Sequence, residues 1–163
     1  MGNDRTFKVL FICTGNSARS ILAEHLLRHL APHRFAAFSA GSDPRGEVHP
    51  LALQVLREVY RIDPAEARSK PLTTYQEASF DFVITVCDRA RESCPIWPGQ
   101  PIVAHWGMED PAAFEGTPEE KLRAFRLAAL EIHRRLELFI NLPFEKLDRL
   151  RLEESTREIG AAH

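Results

Sequence analysis

The stretch Cys13-Thr14-Gly15-Asn16-Ser17-Ala18-Arg19-Ser20 carries a thiol and a guanidinium separated by five small residues. That spacing suits the capture of a tetrahedral oxyanion. Small residues let the backbone curl until several N–H groups point at one centre, and an arginine can fork two oxygens of the anion held there. Thr14, Gly15, Asn16, Ser17, Ala18 and Arg19 form the expected oxyanion-binding set, with Cys13 as nucleophile. The same N–H groups, at a helix N-terminus, are expected to lower the Cys13 pKa and hold it as thiolate. Ser20 is placed to donate a further hydrogen bond to the sulfur. The plainer account of Cys13 is a small buried hydrophobe at a strand end, and the Gly, Asn and Ser that follow it argue for a working loop. A nucleotide-binding loop would end in Gly-Lys-Ser or Gly-Lys-Thr, and neither occurs here.

The elements around this loop follow from hydrophobic pattern. Lys8–Ile12 is a continuous apolar run that reads as a buried strand, and Ile21, Leu22, His25, Leu26, His29 and Leu30 recur at helical spacing until Pro32. Further strands are expected at Phe35–Ser39, Phe80–Val86 and Pro101–His105. One helix carries Leu51, Val55, Leu56 and Val59. A longer one opens at Thr117, which forms a capping box with Glu120, and runs through Leu122, Phe125, Leu130, Leu136 and Leu138. Short apolar strands alternating with helices imply an α/β fold: a single-domain open parallel sheet of about four strands with helices on both faces. The domain is expected over residues 1–143. Residues 144–163 read as a helical C-terminal extension that frays at Gly160–His163.

The 163 residues suit one domain, and 44% hydrophobic with 27% charged residues is ordinary globular usage. With 21 Lys and Arg against 23 Asp and Glu, the net charge of -2 provides no basic field for nucleic acid or an anionic membrane. No apolar run approaches the roughly 18 residues of a spanning helix. Met1-Gly2 is a weak match to a myristoylation signal. Three cysteines, an odd number, point to free thiols in a reducing compartment, so a cytoplasmic location is expected.

Val9–Ser20 followed by Ser39-Ala40-Gly41 resembles the low-molecular-weight protein tyrosine phosphatase superfamily, which contains both phosphatases and arsenate reductases, over about residues 7–140. The resemblance implies a flavodoxin-like winding and a general acid from the Asp-Pro pair after the fourth strand, here Asp110-Pro111. Ala112-Ala113 follow, where phosphatases place aromatic residues that grip a phenolic ring. The segment Val86–Pro95 carries Cys87 and Cys94 and resembles the arsenate reductase branch, as does His105-Trp106-Gly107. If the third strand lies beside the first, Cys87 shares the rim with Cys13. The six residues between Cys87 and Cys94 would have to bring two Cα atoms within about 4.4–6.8 Å for a disulfide.

What the resemblance implies is arsenate reduction through Cys13 and a Cys87–Cys94 relay. The reaction would be assisted by Arg19 and Asp110 and regenerated by thioredoxin or by glutathione with glutaredoxin, with no bound cofactor. Arg89 and Arg91 are expected to favour the thiolates. Some superfamily members hold potassium behind the loop. Asn16, Glu24 and Ser39 match three of the residues involved, but the fourth position falls on Lys70, whose ammonium would replace the ion. Zinc on Cys13, Cys87, Cys94 and His105 has a legal ligand count, yet no Cys-x2-Cys spacing occurs and a metal-bound thiolate could not attack; no metal is expected. The rival readings are a low-molecular-weight phosphatase using Cys13, Arg19 and Asp110, and a non-catalytic oxyanion-binding domain.

Overall fold

Four short apolar segments build the sheet: β1 (Phe7–Cys13), β2 (Phe35–Gly41), β3 (Phe82–Thr85) and β4 (Ile102–His105). All pairings are parallel, in the order β2-β1-β3-β4. The computed structural model describes residues 5–92 and 94–161. The Met1-Gly2 reading and the last two residues of the expected frayed end lie outside them. The helices are α1 (Arg19–Leu30), α2 (Pro50–Glu58), α3 (Asp88–Glu92), α4 (Pro118–Ile140) and α5 (Arg149–Ala161).

The order of the strands decides where a ligand can sit. β1 leads outward to β2 on one side and to β3 on the other, so the loops leaving β1 and β3 diverge at a topological switch point, where open α/β sheets bind ligands. Ile12 pairs with Thr85. Cys87, two residues beyond Thr85, therefore emerges beside Cys13 at the carboxyl rim.

Both faces of the sheet are covered, which is why β1 reads as an unbroken apolar run. On one face Phe139 of α4 packs edge-on to Phe82 and tilted to Phe35, with centroids 5.0 and 5.2 Å apart. On the other, Phe38 meets Tyr75 and Phe80, and Phe80 meets Trp97. α4 starts at the expected capping box, with Thr117 and Glu120 bonding each other's backbone N–H. Its buried stripe is Phe125, Ala128, Ala129, Ile132, Leu136 and Phe139, whereas Leu130 and Leu138 are 38% and 50% exposed. At 3.6 residues per turn those two leucines fall outside the stripe that Phe125 and Ile132 define.

The C-terminal helix does not fray at Gly160. α5 runs through Ala161 and covers the free edge of β4, the kind of strand edge that must be protected from foreign pairing. Arg157 Nε donates to Val103 O at 3.1 Å, and the Trp106 indole N–H donates to Thr156 O at 3.0 Å. Gly160 lies so close to the sheet that a Cβ there would fall 2.1 Å from the His105 carbonyl oxygen. From α4, the buried Arg135 donates to the carbonyls of Trp106, Gly107 and Gly160. That one guanidinium ties α5 to the chain leaving β4.

Candidate active site

β1 ends at Cys13 and α1 begins at Arg19, so five residues turn the chain from strand to helix. The segment 42–49 lies alongside them. Its N–H groups from Ser42, Asp43, Arg45 and His49 donate to the carbonyls of Cys13, Thr14, Gly15 and Ser17 at 2.8–3.3 Å. These bonds turn the loop's carbonyls toward segment 42–49, while the Asn16 N–H is turned inward onto the Cys13 sulfur. Ala18 caps α1 without a side-chain bond, and in the first turn the Ser20 N–H is directed at the Cys13 sulfur.

Asn16 fixes the curl. Its φ of 44° is left-handed, a conformation asparagine tolerates better than most residues. Its side chain compensates by accepting from Lys70 N and donating to Ser20 Oγ, both at 2.7 Å. Gly41 permits the close passage of β2, since a Cβ there would meet Thr14 O at 2.6 Å.

Cys13 is buried, and its sulfur accepts from Asn16 N at 3.2 Å and lies 2.8 Å from Ser20 Oγ. The two side chains are thus within hydrogen-bond reach of each other. The expected lowering of the thiol pKa does not occur. Burial pushes the Cys13 thiol up and outweighs the opposing pull of Ser20 and Arg19, while nearby Cys87 adds to the rise.

Arg19 is anchored toward the loop that follows β4. Nη1 donates to Met108 O at 3.0 Å, and Nη2 is 3.7 Å from Asp110 Oδ2. Asp110 in turn accepts from Ala112 N through Oδ1, capping a short 3-10 turn at Pro111–Ala113. Arginine and carboxylate therefore stand across the mouth of the loop. His49, which sequence reasoning missed, caps α2 and stacks 4.6 Å from the Phe125 ring. Burial and Arg45 lower its pKa against the pull of Asp110. Only the turn-forming neighbourhood of Pro50 hinted at a cap there.

Cys87 is buried at the same rim, with its sulfur 3.3 Å from the Thr14 hydroxyl. α3 begins at the next residue. His105, at the end of β4, holds it with Nε2 2.9 Å from Asp88 Oδ1, while Nδ1 lies 2.7 Å from Thr85 Oγ1. Cys94 is half-buried against the core. Its pKa is raised by burial, and the influence opposing this is the Trp97 indole N–H. All three cysteines are free. Among the described residues no cluster of His, Cys, Asp and Glu has the geometry of a metal site. Behind the loop, Lys70 Nζ is 3.8 Å from Glu24 Oε1, which also accepts from Ser39 Oγ at 2.6 Å.

The chain is similar to known proteins over most of its length. The low molecular weight phosphotyrosine protein phosphatase family matches residues 8–149. The arsenate reductase of Halalkalibacterium halodurans is 37% identical over 131 residues, covering 80% of this chain and 93% of that protein. A solved arsenate reductase in the phosphate-binding state is 31% identical with a TM-score of 0.67, covering 81% of this chain and 95% of that one. The thioredoxin-dependent arsenate reductase of Corynebacterium glutamicum is 33% identical with a TM-score of 0.57, covering 82% of this chain and 63% of that one.

Proposed function

The chain belongs to the low molecular weight phosphotyrosine protein phosphatase family, and on that premise we propose that it is an arsenate reductase using Cys13, Cys87 and Cys94 in sequence. The observation that carries this reading is the meeting of two thiols at one rim: Cys13 under the anion loop and Cys87 against Thr14 of that same loop.

In this reading, arsenate sits among the N–H groups of residues 14–19 with Arg19 forking two of its oxygens. Cys13 attacks arsenic as the thiolate, and Asp110 protonates the departing oxygen, which leaves as water. Cys87 then attacks Cys13 Sγ. The electron pair of the sulfur–arsenic bond passes to arsenic, As(V) becomes As(III), arsenite leaves, and a Cys13–Cys87 disulfide remains. Cys94 thiolate attacks Cys87, Cys13 departs as thiolate, and the resulting Cys87–Cys94 disulfide awaits an external dithiol. The likeness to a thioredoxin-dependent reductase supports thioredoxin in that role, with glutathione and glutaredoxin as the other thiol system. Every component is internal to the chain except the reductant, in keeping with a cytoplasmic enzyme. No helix among the described residues is long and apolar enough to cross a membrane.

A second reading rests on a specific feature. A cavity of about 1080 Å³ flanks Asp110, lined in part by Met108, Pro111, Phe114 and Leu127. It offers room for an organic leaving group, as a phosphate-ester phosphatase needs. One single-turnover experiment separates the two. Fully reduced protein given one equivalent of arsenate should release arsenite and lose two thiols as a Cys87–Cys94 bridge, mapped by mass spectrometry. Survival of all three thiols alongside hydrolysis of a phosphate ester would establish the phosphatase instead.

A further inference from the structure

Trp97 presents a buried polar group that the reaction as described leaves unused. Its ring is 5% exposed and is held edge-on against Phe80, with centroids 5.8 Å apart and planes at 87°. Yet its indole N–H is fully buried and, among the described residues, makes no hydrogen bond of normal geometry, although it lies near enough to Cys94 to favour that thiolate. Buried donors are nearly always paired, so an idle one held in a fixed ring asks for an acceptor that is absent in one state and present in another. Cys94, three residues earlier, is the group that changes. As a thiol it spends its proton on the Pro95 carbonyl at 3.7 Å. As a thiolate it has no proton to donate and becomes a strong acceptor.

We propose that the Trp97 indole N–H is a donor reserved for the Cys94 thiolate, and that Trp97 thereby positions Cys94 for its attack on Cys87. The proposal rests on the three-thiol reading above. In the step concerned, Cys94 thiolate forms a bond to Cys87 Sγ, the Cys13–Cys87 bond breaks, and Cys13 leaves with the electron pair; one disulfide replaces another with no net oxidation. Among the described residues, the influences on the Cys94 thiol are burial, which works against ionisation, and the Trp97 N–H, which favours it. The indole is therefore the group that offsets the cost of forming a charge at this half-buried position.

The test is the pH profile of Cys94 alkylation by iodoacetamide in the reduced full-length protein, resolved by peptide mapping, in wild type and in Trp97→Phe. Phenylalanine keeps the ring packing and removes the donor. The expected result is an alkylation midpoint about one pH unit higher, and so about tenfold slower alkylation at neutral pH, with Cys13 and Cys87 profiles unmoved. An unchanged Cys94 midpoint in a folded variant overturns the proposal. Tryptophan fluorescence gives a second readout that needs no variant at position 97: emission should change through the Cys94 midpoint, and Cys94→Ser should abolish that change. A change that persists in Cys94→Ser also overturns the proposal. Because neither readout uses arsenate, failure of the proposal is distinct from failure of the reductase reading, which would show as absence of arsenite release.

Discussion

The Ser20 hydroxyl stands 2.8 Å from the Cys13 sulfur while accepting a hydrogen bond from Asn16 Nδ2 at 2.7 Å. That second bond occupies one lone pair of the hydroxyl oxygen and leaves its hydrogen free to be donated to the Cys13 thiolate. Burial raises the Cys13 pKa, and Ser20 is foremost among the groups resisting the rise. Ser20→Ala should therefore push the pH midpoint of Cys13 alkylation further up and slow arsenite release at neutral pH by about tenfold, the value of one charge-assisted hydrogen bond. An unchanged midpoint would remove Ser20 from the nucleophile's support. The sign of the accompanying stability effect follows from the same rise. The folded state favours the neutral thiol, so the contribution of Cys13 to stability is full below the unfolded thiol's pKa and is lost as pH climbs through the folded one.

Asp110 has a structural and a chemical task on different oxygens: Oδ1 caps the turn at Ala112, and Oδ2 faces Arg19. Asp110→Asn keeps an acceptor for the cap and discards the transferable proton. Single-turnover arsenite release should fall by about 10²–10⁴-fold with the thermal midpoint little changed. A variant that keeps its rate would show that the departing oxygen takes its proton from elsewhere.

Glu24 is buried among Ser39, Arg28 and Lys70. With an ammonium already 3.8 Å from its carboxylate, replacing sodium by potassium should change neither activity nor melting temperature of the wild type. Lys70→Ala should lower Tm by about 3–6 °C, the loss of one buried charge partner in a chain of this size, and potassium chloride should restore part of that loss. Potassium dependence in the wild type would refute the replacement of the ion by lysine.

Gly160→Ala is the most severe small change available in α5. The added methyl would lie 2.1 Å from the His105 carbonyl oxygen, which is backbone and cannot swing aside. The helix must lift, at a cost of about 1–3 kcal/mol for an overpacked site, and Tm by calorimetry should drop by several degrees. Because Arg135 bonds both Gly160 and the chain entering the Asp110 loop, arsenite release should slow as well. A variant as stable and active as the wild type would show that α5 is not tied to the site.

The sheet and the anion loop were legible because each is local in sequence. Apolar runs gave the strands, and Cys13 with Arg19 sits in one continuous stretch between β1 and α1. Less legible were features made by distant residues meeting. Nothing in the sequence pairs Thr14 with Cys87, His105 with Asp88, or His49 with Phe125. Motif spacing reveals the donors around Cys13 but not the depth of burial that raises its pKa. Leu130 and Leu138 look like core residues until the neighbours of α4 select its Phe125–Phe139 stripe. Glycine's poor helix propensity makes Gly160 look like a point of fraying. The residue is instead required by contact with β4.

The tie between α5 and the chain leaving β4 also orders events during synthesis. The anion loop, both relay cysteines and Asp110 are all translated before Arg149. In a chain that has not yet reached α5, the Trp106 and Gly107 carbonyls would share Arg135 without Gly160. A chain without α5 would hold its thiol cradle intact in sequence, but its acid loop would lack the brace that Arg135 and Gly160 supply.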